Sequence, residues 1–300
     1  MRILNSIVVL ILAAVLLSCT TQERLRVDIP SLESELQTLI GDFDGKVGIY
    51  VQHLGTGDEI AINADELYPT ASMIKVPIMA ALFHRLENPL PNDSLTYHSK
   101  LTWYDSLVNY PGDDGIMASH AEGAHISLDK VVSLMITYSD NNASLWCQEL
   151  AGGGLVINAW LADNGFEKTR VNSRTPDRQD DWEIYGWGQT TPREMAELVV
   201  MIREGRAVNE KASEEMYRAM TKIYWDDEAL APIPMTVQAA SKQGAVSASR
   251  SEVVLVNAPH GDYVFCVITK EQADTSWADD NPGFVLLRDV SRLLWNTFEG

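Results

Sequence analysis

The 300-residue chain is poor in cysteine, histidine and basic side chains, and each shortage removes a class of function. Its 3 cysteines, Cys19, Cys147 and Cys266, are too few for the disulfide framework of a small secreted scaffold. Cys147 falls in a helical pattern and Cys266 in a strand, so two buried free thiols are expected in the body of the protein. The 6 histidines show no metal-ligand spacing, and neither metal nor cofactor is expected. Lys and Arg number 23 against 42 Asp and Glu, a formal charge of −19. Phosphates repel such a surface, so nucleic acid is not an expected partner. No internal repeat or low-complexity tract divides the chain.

Nor does the amino-terminal apolar run reach membrane-spanning length. It extends over 11 residues, from Ile7 to Leu17, where a helical span needs roughly 20. With Arg2 ahead of it, this run reads as an export signal over residues 1–18. Leu16-Leu17-Ser18-Cys19 resembles a bacterial lipobox, which makes Cys19 the expected lipidated first residue of the mature chain. Thr20 in the next position points to the outer membrane, facing the periplasm. Residues 19–30 are mostly polar and read as a tether. The acyl chains, rather than the acidic body, would then hold the protein to the membrane.

Residues 31–300 read as one domain, expected to be monomeric, with no linker inside it. Ser31 is a candidate N-cap for a helix to about Ile40, and Ser34 fits as well. Residues 46–54 and 59–63 are strand-rich on either side of Gly55-Thr-Gly-Asp58, a hairpin pattern. A long helical stretch follows, from about Thr70 to Ile223, broken by a polar and aromatic loop over 171–190. Three strands, 236–246, 252–256 and 263–269, precede a last helix that starts at Asn281-Pro282. The expected fold is α+β: a five-stranded antiparallel sheet built by both ends of the chain, flanked by helices, with an all-helical lobe inserted between.

Three short motifs carry the chemistry. Ser72 and Lys75, in Ser72-Met-Ile-Lys75, share one helix face, and an adjacent base can activate a hydroxyl. Ser139-Asp140-Asn141 and Lys242-Gln243-Gly244 lie downstream. Each alone is weak: Ser127-Leu-Asp-Lys130 repeats the first spacing as a plain helix start, and Ser139 to Asn141 could simply cap a helix. Together, in this order and at these separations, they resemble the motifs of serine β-lactamases and penicillin-binding proteins. Over residues 31–298 the chain resembles a class A β-lactamase or a close serine-hydrolase relative. Leu107-Val-Asn-Tyr110 resembles the segment whose tyrosine lines the substrate cleft, and Thr190-Thr-Pro192 resembles the helix start that closes the family's omega-shaped loop. Arg250 stands where the family often places an arginine for the substrate carboxylate.

The resemblance implies a division of labour. Ser72 would attack the carbonyl of a β-lactam or a peptidoglycan-like peptide and become acylated, with the N–H groups of Ser72 and Ala245 facing the oxyanion. Lys75 would take the Ser72 proton, its charged form disfavoured by nearby Lys242. Ser139 would relay a proton to the departing nitrogen. Asn141 would orient Lys75 and substrate, Tyr110 and Gly244 would line the cleft, and Lys242 and Arg250 would hold a carboxylate. Two departures from the pattern stand out. Thr175 occupies the place of the loop glutamate that removes the acyl group, leaving Asp177 and Glu183 as nearby acids. Gln243 replaces a short hydroxyl residue. The alternatives are therefore a peptidase- or esterase-like hydrolase, and a slowly acylated sensor without turnover.

Overall fold

Strands from both ends of the chain form one antiparallel sheet in the computed structural model, which describes residues 27–41, 43–107, 110 and 115–300. Helix α1 (Ile29–Ile40) begins three residues earlier than an N-cap at Ser31 implies. Its cap is Asp28, whose carboxylate accepts from the Ser31 N–H at 3.3 Å. Pro30 occupies the first turn, where its missing N–H leaves no helical bond unmade. The Ser31 hydroxyl instead donates to Glu35. Cys19 and the export segment lie outside the described residues.

Strands β1 (Lys46–His53) and β2 (Glu59–Ile62) form the first hairpin, with Ile49 opposite Ile62. The chain then enters the helical part through a two-residue strand, β3 (Tyr68–Pro69), a 3₁₀ turn (Ala71–Ile74) and helix α2 (Lys75–Glu87). From Lys75 to Phe83 every residue of α2 is buried, as a helix enclosed on all sides must be. Next come β4 (Lys100–Thr102), β5 (His125–Ser127), α3 (Leu128–Ser133) and a π turn (Leu134–Tyr138). Helices α4 (Asn141–Leu150) and α5 (Gly154–Asp163) complete the packing around α2. Ahead of the expected loop over 171–190, the helical stretch is thus interrupted by a small β4–β5 pair. A three-stranded patch interrupts it again: β3, β6 (Arg170–Val171) and β7 (Gly188–Thr190), with helix α6 (Gln179–Tyr185) between the last two. Strands this short carry no periodic signal.

Helices α7 (Pro192–Arg203) and α8 (Glu210–Met220) lead to β8 (Ala239–Val246), β9 (Ser249–Val256), β10 (Tyr263–Lys270) and the terminal α9 (Pro282–Glu299). The sheet order is β2-β1-β10-β9-β8, antiparallel throughout. Side chains alternate between its faces. Val253, Leu255, Cys266 and Ile268 face the helical lobe, whereas Val254, Val256, Phe265 and Val267 face α1 and α9. Both thiols, Cys147 and Cys266, are buried and unbridged, and burial pushes each well above the ordinary thiol range. Among the described residues no helix is long and apolar enough to cross a membrane. Because β8 is the last strand, its edge is left to face the turn that carries Ser72.

Candidate active site

Local backbone geometry presents each of the three motifs. Ala71 has φ +44°, a left-handed conformation rare outside glycine, and sets Ser72 on the 3₁₀ turn that feeds α2. The π turn ends at Ser139, also left-handed at φ +64°. Such turns and strained positions gather at functional sites. Asp140 then caps α4, accepting from the Ala143 N–H at 2.8 Å and from the Met117 N–H at 2.9 Å. That cap fixes the residues on either side of it. On β8, Gly244 permits a close approach: a Cβ there would lie 2.6 Å from the Thr70 carbonyl oxygen and 2.9 Å from the Ser72 nitrogen.

These turns bring a hydroxyl, two amines and a second hydroxyl together. Lys75 Nζ lies 3.0 Å from Ser72 Oγ, 3.0 Å from Ser139 Oγ, 2.9 Å from Asn141 Oδ1 and 2.5 Å from the Ser139 carbonyl. Lys242 Nζ reaches the same Ser139 Oγ at 3.1 Å and also donates to the Gln243 carbonyl and side-chain oxygen at 2.9 and 2.7 Å. Ser139 thus bridges the amines. Both lysines are wholly buried. Burial, followed by the charge of Lys75, pushes Lys242 well below the usual lysine range, and Glu252 and Glu228 oppose that shift. The decoy pair gathers nothing comparable: Ser127 makes no side-chain cap bond and Lys130 is exposed.

Ser72 sits where two cavities meet. One, about 500 Å³, is walled by Tyr110, Ile184, Tyr185 and Trp187. The other, about 610 Å³, is walled by Ser139, Gln243, Glu228, Trp225 and Trp277. Ser72, Asn141 and Ala245 line both. Tyr110 packs edge-on against Trp187 at 5.4 Å, with its N–H bonded to Asn142 Oδ1.

Other expected site residues lie elsewhere. Arg250 pairs with Ala245 across the strands, but its guanidinium turns toward α9. There it is fully buried between the rings of Trp277 and Phe284, at 4.7 and 4.6 Å, and donates to the carbonyls of Ser249, Val246 and Ser276. It lines neither cavity. Asp177 and Glu183 are exposed and likewise line neither. Thr175 is buried and donates to the Ser173 carbonyl. Trp187, Trp225, Trp277, Glu228 and Glu252 were not anticipated. Glu252 alone had a signal: an acid directly before the apolar run Val253-Val-Leu-Val256, where a buried charge requires partners. Among the described residues no three His, Cys, Asp or Glu side chains gather as metal ligands.

A family model described as the beta-lactamase enzyme family matches residues 31–298. The chain belongs to this family. Beta-lactamase VEB-1 of Pseudomonas aeruginosa is 18% identical over 288 residues, covering 89% of this chain and 90% of that protein. A beta-lactamase of Bacillus licheniformis is 24% identical over 258 residues, covering 83% and 79%. Among solved structures, a variant of PBP-A in an acyl-enzyme complex with penicillin G superposes with TM-score 0.77 at 25% identity, over 90% of this chain and 97% of that one. The TLA-1 extended-spectrum beta-lactamase gives 0.80 at 16% identity, over 91% and 99%. The five-stranded sheet with its helical lobe is thus the beta-lactamase fold, and the family places the chain among hydrolases of the β-lactamase type.

Proposed function

We propose that this chain is a serine acyl hydrolase whose Ser72 is acylated by β-lactams or by related amides and esters of peptidoglycan-like peptides. The observation that carries this reading is the 3.0 Å contact between Ser72 Oγ and Lys75 Nζ, with Ser139 Oγ bridging Lys75 and Lys242. A neutral Lys75 could give its two N–H groups to the obligate acceptors, the Ser139 carbonyl and Asn141 Oδ1. Its lone pair would then be free to take the Ser72 proton. As the Oγ–C bond forms, the carbonyl π electrons move to oxygen, faced by the N–H groups of Ser72 and Ala245. Collapse breaks the C–N bond, and the leaving nitrogen takes the Ser139 hydroxyl proton, which the neighbouring ammonium replaces. No cofactor enters these steps.

Release of the acyl group needs an activated water. Among the described residues no acid from the 171–190 loop lines the cavities at Ser72. Asp177 or Glu183 would have to leave its exposed position to serve, so acylation is proposed to outpace release. Intact-mass spectrometry of the mature protein with a penicillin tests this reading. A slowly decaying adduct is expected, absent from Ser72→Ala. Equal labelling of the alanine variant would sink the serine assignment. Gly244→Ala makes a second test. Its methyl group would push β8 away from Thr70 and Ser72, and a displacement near 1 Å at a reacting centre costs about 10²-fold in rate. Adduct formation within threefold of the parent would show that the close approach is dispensable. The lipid anchor at Cys19 and an outer-membrane, periplasm-facing location belong to the same proposal.

A further inference from the structure

Ser139 must meet two amines and the leaving nitrogen at once, from a strained backbone. Its φ of +64° is a left-handed conformation that a non-glycine residue keeps only where its surroundings hold it. Within the π turn, the N–H groups of Ser139 and Asp140 both converge on the Leu134 carbonyl. Asp140 secures the following side by capping α4. The preceding side needs outside help, because the last carbonyls of a helical turn have no partner within it. A strap over residues 221–226, directly after α8, supplies the donors. The Tyr224 N–H donates to the Thr137 carbonyl at 3.0 Å, and Trp225 Nε1–H donates to the Tyr138 carbonyl at 2.9 Å.

The rings reinforce these bonds. Tyr138 lies 5.2 Å from Tyr224 and 5.8 Å from Trp225, centroid to centroid, and the other two rings meet edge-on at 5.0 Å. Such tilted and edge-on pairs are favourable. Core burial does not account for the cluster, since Tyr224 is 62% and Trp225 42% exposed. Tyr138, Ser139 and Trp225 line the same cavity beside Ser72. The strap therefore grips the residue directly before the hydroxyl that bridges Lys75 and Lys242.

We infer that Trp225 is a positioning residue: its indole N–H, bound to the Tyr138 carbonyl, holds Ser139 where its hydroxyl can pass a proton to the leaving nitrogen. The inference rests on the serine reading above and deepens it. When the C–N bond breaks, its electron pair goes to nitrogen, which takes the Ser139 proton, and the Lys75 ammonium reprotonates Ser139. A nitrophenolate leaving group keeps the C–O electron pair on oxygen and needs no proton. Lost proton delivery therefore slows an amide and spares such an ester, whereas general disorder slows both. Benzylpenicillin and the nitrophenyl ester of phenylacetylglycine carry the same acylamino side chain. Both leaving groups enter the cavity that Trp225 lines, so a lost contact would also be felt by both.

The second-order rate of adduct formation on Ser72 is followed by intact mass for the parent, Trp225→Phe, Trp225→Ala and Ser139→Ala, with a melting curve for each. Ser139→Ala sets the full split: the penicillin should slow about 10²-fold, a usual share for a positioned proton donor, and the ester far less. Trp225→Phe keeps a ring in the cluster and removes only the N–H. It is expected to slow the penicillin about tenfold and the ester less than about twofold, as one lost hydrogen bond would. Trp225→Ala should bring the split close to that of Ser139→Ala. A folded Trp225→Phe that slows both donors equally, or neither, overturns the inference and leaves the serine assignment standing. A Ser139→Ala variant without any split removes the relay, and the inference with it. A parent that forms no adduct with either donor overturns both readings.

Discussion

Lys75→Met is expected to slow acylation of Ser72 by about 10³-fold, within the range attributed to a positioned general base. Lys75 Nζ is the group that the structure places within hydrogen-bond reach of Ser72 Oγ, and methionine fills similar volume without a lone pair for the proton. Lys75→Arg should be nearly as slow, because a guanidinium keeps its charge at any workable pH. The methionine variant also strips a donor from Asn141 Oδ1 and the Ser139 carbonyl, which costs about 1–3 kcal/mol for each acceptor left buried and unpaired. A melting curve must therefore accompany the rate. A second readout separates chemistry from packing. The charge of Lys75 depresses Lys242, so removing it should raise the Lys242 value and carry the alkaline limb of any residual labelling to higher pH. A folded methionine variant that labels within tenfold of the parent would exclude Lys75 as the base.

The sheet and the motif order were legible in the sequence because both rest on strong local patterns. The strand segments show apolar runs bounded by turn residues, and Ser72 and Lys75 are neighbours on one turn whatever the rest of the chain does. What the sequence withheld depends on relations between distant segments. Arg250 illustrates this, since a strand side chain points to one face or the other and a single step in register reverses it. Ser249-Arg250 in one dimension cannot say that the guanidinium faces α9. The small sheet of β3, β6 and β7 was hidden for the same reason, as two- and three-residue strands exist only through their partners. Helix α6 was hidden differently: none of its residues is buried, so no apolar stripe marks it. The start of α1 was missed by three residues because Asp28, Ser31 and Ser34 are all competent caps. Gln243 was visible as an unusual residue, but its bond to Lys242, which gives it a consequence, was not.

Glu228→Gln should make the protein more stable at pH 8 than the parent, with almost no difference at pH 5. Glu252 is fully buried, bonded to the Ala229 N–H at 2.8 Å and to the Ser241 hydroxyl. Glu228 lies beside it with one oxygen unpartnered. Burial first, and for Glu228 the charge of Glu252 next, raise both carboxyls above the ordinary 4.5. Asp227 adds to the rise in both. Lys242 opposes it in both, and Arg250 also does so at Glu228. A carboxyl raised on folding binds its proton more tightly in the native state. Its contribution to stability is complete below about 4.5 and is lost as pH climbs through the folded value. Between roughly pH 5 and pH 8 the parent should therefore lose stability that the glutamine variant keeps. A loss on the order of 2 kcal/mol corresponds to about 3–4 °C in melting temperature for a chain of this size. Lys242, depressed from its usual range, has the opposite slope at higher pH, so parent and variant must be compared at each pH rather than each against itself. Ionic repulsion between Glu228 and Glu252 is what the substitution removes. A melting difference that stays constant from pH 5 to pH 8 would mean that the two carboxyls do not share this strain, and that the acidic wall facing Gln243 is solvated in the manner of an ordinary surface.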